Sequence, residues 1–309
     1  MIDEHAVWQA LLPQKVEDFN RDGYVKLPGV FTGDELLALQ KDSQLLIDGG
    51  YENKEYPTDF HVKTDPATGK KVFHRVQFIF SYSQVQPNSF LVALGHPRVL
   101  SLVNALLGND FVCDGEALVF KGPDDGAEVP VHADCDPADK RTSDEHLGFN
   151  VDIYLDDATT GNGCLYAAKG SHKPRYSSEE ISRQGFEFPG LEPVPMQAGD
   201  VLLHNIAVVH GSHTNHSSQL RRTIYYEFQS LSWLMKEGVR PGINMTKSWA
   251  EARLRLLSHA MQVRAESVYG ADEKRLDYQV PRGYSIDHYP ASEPVELRVK
   301  LTNSDSPVF

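Results

Sequence analysis

Cysteine is scarce in this chain: Cys113, Cys135 and Cys164 are the three among 309 residues. They are widely spaced, with no Cys-x-x-Cys pair. That argues against a disulfide framework or a zinc ribbon and for a reducing setting. Long apolar runs are also missing, and none approaches the roughly 20 residues of a membrane span. The first residues, Met1 to His5, have neither the basic nor the apolar region of a secretory leader, so a cytoplasmic location is expected. The final residues, Ser306 to Phe309, do not form a peroxisomal address. Cationic charge is in deficit: 30 Lys and Arg stand against 43 Asp and Glu, a formal net charge of -13. An acidic chain repels phosphate backbones and anionic lipid, so nucleic acid and membrane partners are not expected and a small-molecule substrate is. Neither an internal repeat nor a low-complexity tract is visible.

What is present is ordinary for a globular protein: 40% apolar and 24% charged residues, enough for a sizeable core. A single domain over residues 1–309 is expected, as a monomer or homodimer. Residues 1–60 form a helical and strand support, 70–230 the core, and 231–309 a C-terminal helix and tail. In the support, Lys15 to Arg21 reads as a short helix and Tyr24 to Leu27 as a strand. Thr32 and Glu35 are spaced as a capping box that opens a helix running to about Ile47. Leu36, Leu37, Leu39, Leu45 and Leu46 would form its apolar stripe, and Gly49-Gly50 its end.

The middle of the chain is strand-rich. Strands are expected over Val72–Ser81, Phe111–Lys121, His146–Leu155, Cys164–Ala168, Asp200–Ile206 and Arg222–Phe228, with Gly- and Pro-bearing turns between them. Arg75 and Gln77 should share one strand face, opposite His74, Val76 and Phe78. Short strands with polar inward positions predict a mainly β fold with flanking helices, built on a double-stranded β-helix (jelly-roll, cupin-like) core. Cys135–Glu145 and Pro174–Pro195 read as long loops beside the barrel mouth, placed as lids or as plain connections. Ser248 to Ser267 reads as a helix and Pro290 to Phe309 as a peripheral tail.

One segment carries chemistry. With 13 histidines and 43 acidic residues, about two His-x-Asp/Glu matches are expected by chance. The chain has one, His132-Ala133-Asp134, after the apolar Val129-Pro130-Val131. In a strand, positions i and i+2 face the same way, so both side chains can reach one metal. His210 is the best third ligand: it ends the apolar run from Val201 and precedes Gly211, which permits a tight backbone. His204 lies mid-strand and reads as a satisfied core residue or a support for a ligand, while His213 and His216 fall in a polar loop. Two imidazoles and a carboxylate suit Fe(II) with open positions, although zinc accepts the same set. Arg221, eleven residues beyond His210, offers a planar fork that would pair bidentately with an acidic co-substrate. Arg222 should point the other way.

These pieces together resemble the phytanoyl-CoA dioxygenase family of Fe(II)/2-oxoglutarate oxygenases. The resemblance runs over about residues 15–230. It takes in Arg21-Asp22-Gly23-Tyr24-Val25, Leu27-Pro28-Gly29-Val30, Val131-His132-Ala133-Asp134, Leu155-Asp156-Asp157-Ala158-Thr159 and Asn162-Gly163-Cys164-Leu165. It continues through Lys169-Gly170-Ser171-His172-Lys173, Gly199-Asp200-Val201-Leu202, His210-Gly211-Ser212 and Arg221. The resemblance implies that His132, Asp134 and His210 are the iron ligands and catalytic centre. It implies that Arg221 binds the distal carboxylate of 2-oxoglutarate, that Ser212 supports it, and that Arg75 faces the co-substrate. The cofactors implied are Fe(II), with 2-oxoglutarate and O2 as co-substrates, and the reaction is C–H hydroxylation with release of succinate and CO2. An acid at Asp134 argues against a halogenase, which needs that position vacant.

Many family members carry an aromatic where Asp152 stands. Asn150, Asp152 and Tyr154 share a face by alternation, as do Arg221, Thr223, Tyr225 and Glu227. Asn150, Asp152, Gln77 and Glu227 are therefore the expected substrate residues. The other role open to Asp152 is pairing with a neighbouring base inside the barrel. With no Lys/Arg cluster near the site in the sequence, a free small molecule is expected rather than a CoA thioester. The competing readings are a cupin-like metalloenzyme that does not use 2-oxoglutarate and a non-catalytic jelly-roll binding protein.

Overall fold

The computed structural model describes residues 4–50, 60–64, 69, 71–81, 88–124, 127–135, 148–237 and 245–286. Most of the expected 135–145 loop and the tail from 290 lie outside them.

Helix α1 (Glu4–Asp22) leads into strand β1 (Tyr24–Leu27) and helix α2 (Gly33–Gly49). Strands β2 (Phe60–Thr64) and β3 (Lys71–Gln77) precede two short helices, α3 (Ser89–Leu94) and α4 (Pro97–Leu107). The core strands follow: β4 (Phe111–Lys121), β5 (Val129–His132), β6 (Gly148–Tyr154) and β7 (Leu165–Ala168). After helix α5 (Ser178–Gln184) come β8 (Leu191–Val194), β9 (Val201–Asn205), β10 (His210–Ser212) and β11 (Arg221–Ser230). Helices α6 (Leu231–Glu237) and α7 (Lys247–Glu266) complete the described chain.

The strands form two antiparallel sheets. The larger has the order β1-β9-β6-β11-β4-β3-β2 and the smaller β5-β10-β7-β8. This is the expected jelly-roll core. The large sheet has two chemically distinct faces, because alternation along each strand is matched across the register. One row runs Val76, Leu118, Ile224, Ile153, Val201. These residues pack with Phe90 of α3, Leu100 and Val103 of α4, and Leu256, Leu257 and Ala260 of α7. The adjoining rows run Arg75, Val119, Thr223, Tyr154 and Gln77, Ala117, Tyr225, Asp152. They turn to the opposite face, towards the small sheet. There Tyr24, Tyr154 and Leu202 pack with Leu165, Ala167 and Val194, so one end of the space between the sheets is closed by apolar packing and polar side chains occupy the other.

Several expectations need correction. Helix α1 begins at Glu4 rather than Lys15, in spite of Pro13 inside it. Buried Trp8 and Phe19, with the Trp8 indole donating to Ser101 Oγ at 2.7 Å, hold it down. Thr32 does precede α2, but its side chain makes no cap. Glu35 is instead drawn into a buried ion pair with Arg264 of α7. The stripe of α2 uses Leu39 and Leu46, whereas Leu37 (59% exposed) and Leu45 (44%) face out. The segment 174–195 is no plain loop, since it holds α5 and β8. Helices α3, α4 and α6 and strand β2 had no counterpart in the sequence reading.

Candidate metal centre

Strand β5 ends at His132 and β10 begins at His210, and these two are Cα partners in the small sheet. Their rings lie 4.3 Å apart, centroid to centroid. Asp134 follows the end of β5. One ligand atom from each of His132, Asp134 and His210 lies within 4.8 Å of the others. Asp134 Oδ1 is 3.3 Å from His132 Nε2 and 3.9 Å from His210 Nε2. Each imidazole is oriented in the same way: Nδ1 of His132 meets the Pro130 carbonyl at 2.7 Å, and Nδ1 of His210 meets the Val208 carbonyl at 2.9 Å. A proton on Nδ1 donated to the carbonyl leaves the Nε2 lone pairs directed at Asp134, as a metal ligand requires. Two imidazoles and one carboxylate oxygen on one side, with no fourth protein ligand in the group among the described residues, fit a facial iron site with positions open for other molecules.

Local structure explains the convergence. Gly211 lies under β5: a Cβ there would sit 3.0 Å from Val131 Cα, so a larger residue would press on the strand that carries His132. Ser171 Oγ accepts from the Val209 amide at 2.8 Å and donates to the Ala168 carbonyl at 2.7 Å, fixing the entry to β10.

Electrostatics match the geometry. Burial, followed by the charge of His132, pushes His210 down to about 3, so it is a neutral ligand. Burial acts against ionisation of Asp134, but His210, His132 and His204 outweigh it and hold the carboxyl well below its usual range. His132 is raised: burial opposes its charge, and Asp134 prevails.

Arg221 starts β11 and is 3% exposed. Its Nη1 donates to the Gly163 carbonyl at 2.6 Å and its Nη2 to Thr223 Oγ1 at 3.0 Å. The guanidinium lies over the Tyr154 ring at 5.8 Å. Gly163 presents that carbonyl from a left-handed turn (φ 76°), capped by Thr159 and Asn162. Arg221 Nε and Tyr154 Oη are buried and find no hydrogen-bond partner among the described residues. Directly opposite Arg221 on β4 stands Lys121, also buried, whose ammonium donates to the carbonyls of Ala127 (2.6 Å), His213 (2.8 Å) and Ser212 (3.4 Å). Burial, then the charges of Arg221 and Lys63, push Lys121 well down. Like charges directly across a strand pair are unfavourable. Two buried basic side chains bonded to neutral acceptors, with donor capacity unused on Arg221, fit a carboxylate co-substrate. Sequence reasoning saw no Lys/Arg cluster here. The fold brings Lys121 opposite Arg221, and burial, then the charges of Lys63, Arg75, His61 and Lys121, depress His74 to about 3.

The remaining candidates separate. Ser212 is two residues from His210 on β10 and buried. Arg75 shares the register row of Thr223 and Tyr154, and Gln77 that of Asp152. Glu227 lies opposite Asn150 and accepts from Gln229 at 2.8 Å. Asn150 donates to Asp134 Oδ2 at 2.9 Å. Of the two roles expected for Asp152, the structure shows the pairing with a base: it is fully buried, and its Oδ2 is 2.9 Å from His204 Nδ1. Arg222 does point away, to Asp156 and the Gln40 carbonyl. His213 stacks on Phe186 while its side chain stays 40% exposed. Lys121 and Tyr154 lie next to Arg221; the sequence did not single them out as site candidates, although Tyr154 alternates with Asp152.

Comparison with known proteins places this geometry. Among curated proteins, phytanoyl-CoA dioxygenase domain-containing protein 1 of Mus musculus is 26% identical over 263 residues, covering 69% of this chain and 88% of that protein. Methylphosphonate hydroxylase of Gimesia maris is 26% identical over 231 residues, covering 72% and 82%. The crystal structure of AviO1 from Streptomyces viridochromogenes Tue57 superposes with a TM-score of 0.57 at 28% identity, over 70% of this chain and 93% of that one. The model of the phytanoyl-CoA dioxygenase (PhyH) family matches residues 19–223, which hold all three candidate ligands and Arg221, and the chain belongs to that family.

Proposed function

We propose that this dioxygenase, which uses iron, 2-oxoglutarate and O2, hydroxylates a C–H bond of a small, polar, free molecule. The observation that carries the reading is the His132-Asp134-His210 cluster, together with the buried Arg221 at the start of β11. When bound, iron supplies the activation of O2 that drives oxidative decarboxylation of 2-oxoglutarate to succinate and CO2 with oxidation of the substrate. The chain's residues do the rest. His132, Asp134 and His210 hold the metal on one side. Arg221 takes the far carboxylate of 2-oxoglutarate through its unused Nε–H, with Ser212 and Arg75 adding polar contacts, and burial excludes water from that end. Gln77 and Glu227 lie on the inward face of the large sheet and contribute to substrate recognition.

The likeness to a methylphosphonate hydroxylase supports a small polar substrate. Of the basic groups here, Lys121 and Arg221 are buried, and such an enclosed pair suits one carboxylate rather than the several phosphates of a CoA thioester. No described helix is long and apolar enough to cross a membrane.

Anaerobic titration of the protein with Fe(II) and 2-oxoglutarate tests the reading. A visible charge-transfer absorption that saturates at one equivalent of iron and is lost in His132→Ala is expected. Absence of that band in the wild type overturns it. Succinate release screened over a panel of polar metabolites, with His132→Ala as blank, then identifies the substrate.

A further inference from the structure

Asp152 and His204 are buried titratable groups for which the reaction above has no use. They lie on adjacent strands, β6 and β9, and both turn to the inward face. His204 is 1% exposed and Asp152 fully buried. His204 Nδ1 is 2.9 Å from Asp152 Oδ2. Its other nitrogen, Nε2, is 3.5 Å from Asp134 Oδ2 and 3.3 Å from Asn150 Nδ2. Asn150, the Cα partner of His204, donates to the same Asp134 oxygen at 2.9 Å. Asp134 is thus divided. Its Oδ2 is gripped from the large sheet by Asn150 and faced by His204, while its Oδ1 turns to His132 and His210 on the small sheet.

We propose that Asp152 and His204, acting with Asn150, are positioning residues that hold Asp134 as a one-oxygen iron ligand and keep its second oxygen off the metal. The proposal rests on the iron reading of the site. Energetics favour it over a plain packing role. Burying an acid and an imidazole costs several kcal/mol of desolvation, and apolar residues of the same volume would stabilise the barrel at least as well. Asp152 Oδ1 finds no hydrogen-bond partner among the described residues, so the carboxylate is not placed to satisfy itself. Among the described residues its hydrogen-bonding partner is His204, and the other end of that ring faces Asp134. A carboxylate freed from such a contact can rotate to bind iron through both oxygens, which occupies a position that 2-oxoglutarate or O2 needs.

The test compares wild type with Asp152→Asn, His204→Gln and His204→Leu, all in the full chain. Anaerobic Fe(II) affinity and the position of the Fe(II)/2-oxoglutarate charge-transfer band are read beside the melting temperature. His204→Leu is expected to weaken Fe(II) binding about 10- to 100-fold and to shift the band. His204→Gln, whose amide N–H can still donate to Asp134 Oδ2 while its link to Asp152 is lost, should recover part of both. Asp152→Asn keeps the shape and removes the charge, and should fall between them. If His204→Leu does not fold, the other two carry the comparison. Variants that lose only melting temperature, with wild-type affinity and band, overturn the proposal and leave the iron site standing. A wild type that forms no band removes the iron reading and this proposal with it.

Discussion

Replacing Gly211 with alanine tests whether the approach of two strands builds the metal site. β10 is an inner strand of the small sheet and β5 its edge, so β5 is the element free to yield. The new methyl would stand 3.0 Å from Val131 Cα and 3.1 Å from both the Val129 carbonyl and Val131 Cγ2. Carbon atoms pack comfortably at about 3.5 Å or more, so β5 is pushed outward by a few tenths of an ångström. Overpacking of this kind costs about 1–3 kcal/mol, and restricting the unfolded chain returns about 0.4–1 kcal/mol. The net destabilisation is about 0–2.5 kcal/mol, which a domain of this size tolerates. The effect on metal is larger in proportion. β5 carries His132 opposite His210, and ligand distances are tolerated to within about 0.2 Å. Fe(II) affinity should therefore fall about 10- to 100-fold in a protein that still melts cooperatively. Anaerobic titration calorimetry with Fe(II), or with Co(II) as a spectroscopic substitute, measures it. Wild-type affinity in a folded Gly211→Ala protein would refute the argument that this glycine sets the distance between the ligands.

Three further outcomes follow from other parts of the molecule. Gly163→Ala forces a Cβ to within 2.4 Å of the His213 carbonyl at positive φ and displaces the acceptor of Arg221, so the KM for 2-oxoglutarate should rise about 10-fold or more, with a loss of about 1–3 kcal/mol in urea unfolding; an unchanged KM refutes the Gly163–Arg221 link. His96 is kept neutral by burial, then by Arg264 and Arg98, whereas an unfolded histidine takes a proton near pH 6.5; its contribution to stability is therefore full above about 6.5 and is lost as pH falls below it. In His96→Asn, which retains an acceptor for the Arg98 amide, the slope of unfolding free energy between pH 6 and 5 should flatten by up to about 1.4 kcal/mol per pH unit, and an unaltered slope sinks the reading. Arg253→Met removes the guanidinium 2.8 Å from Glu116 in a fully buried pair, and should cost about 3–5 kcal/mol by chemical denaturation, most of it recovered when Glu116→Leu is added; a single variant as stable as wild type refutes it.

The inward face of the sheet was legible because alternation is local. Asn150, Asp152 and Tyr154 had to share a side, and so did Arg221, Thr223 and Glu227, once their segments were strands. The spans Tyr24–Leu27 and Phe111–Lys121 came out as read for the same reason. Helices were harder. α4 is capped by His96, whose Nδ1 accepts from the Arg98 amide, a residue seldom read as a start signal. α2 carries a capping-box spacing that does not close, because Glu35 answers to Arg264, 229 positions away.

From sequence alone came the residue types and spacing of a two-histidine, one-acid site, an arginine eleven residues on, and a frame of short strands to hold them. Tertiary structure decided the partners. Asp152 could have met substrate or a base, and alternation cannot choose between them; the β6–β9 register, which sets His204 beside Asn150, chose the base. Lys121 carried no mark in the sequence until β4 paired with β11 and placed it opposite Arg221. Spacing along a chain states which side chains share a face. Which of them touch is settled only when strands distant in sequence find their register, because a one-residue slip would turn every side chain to the other side.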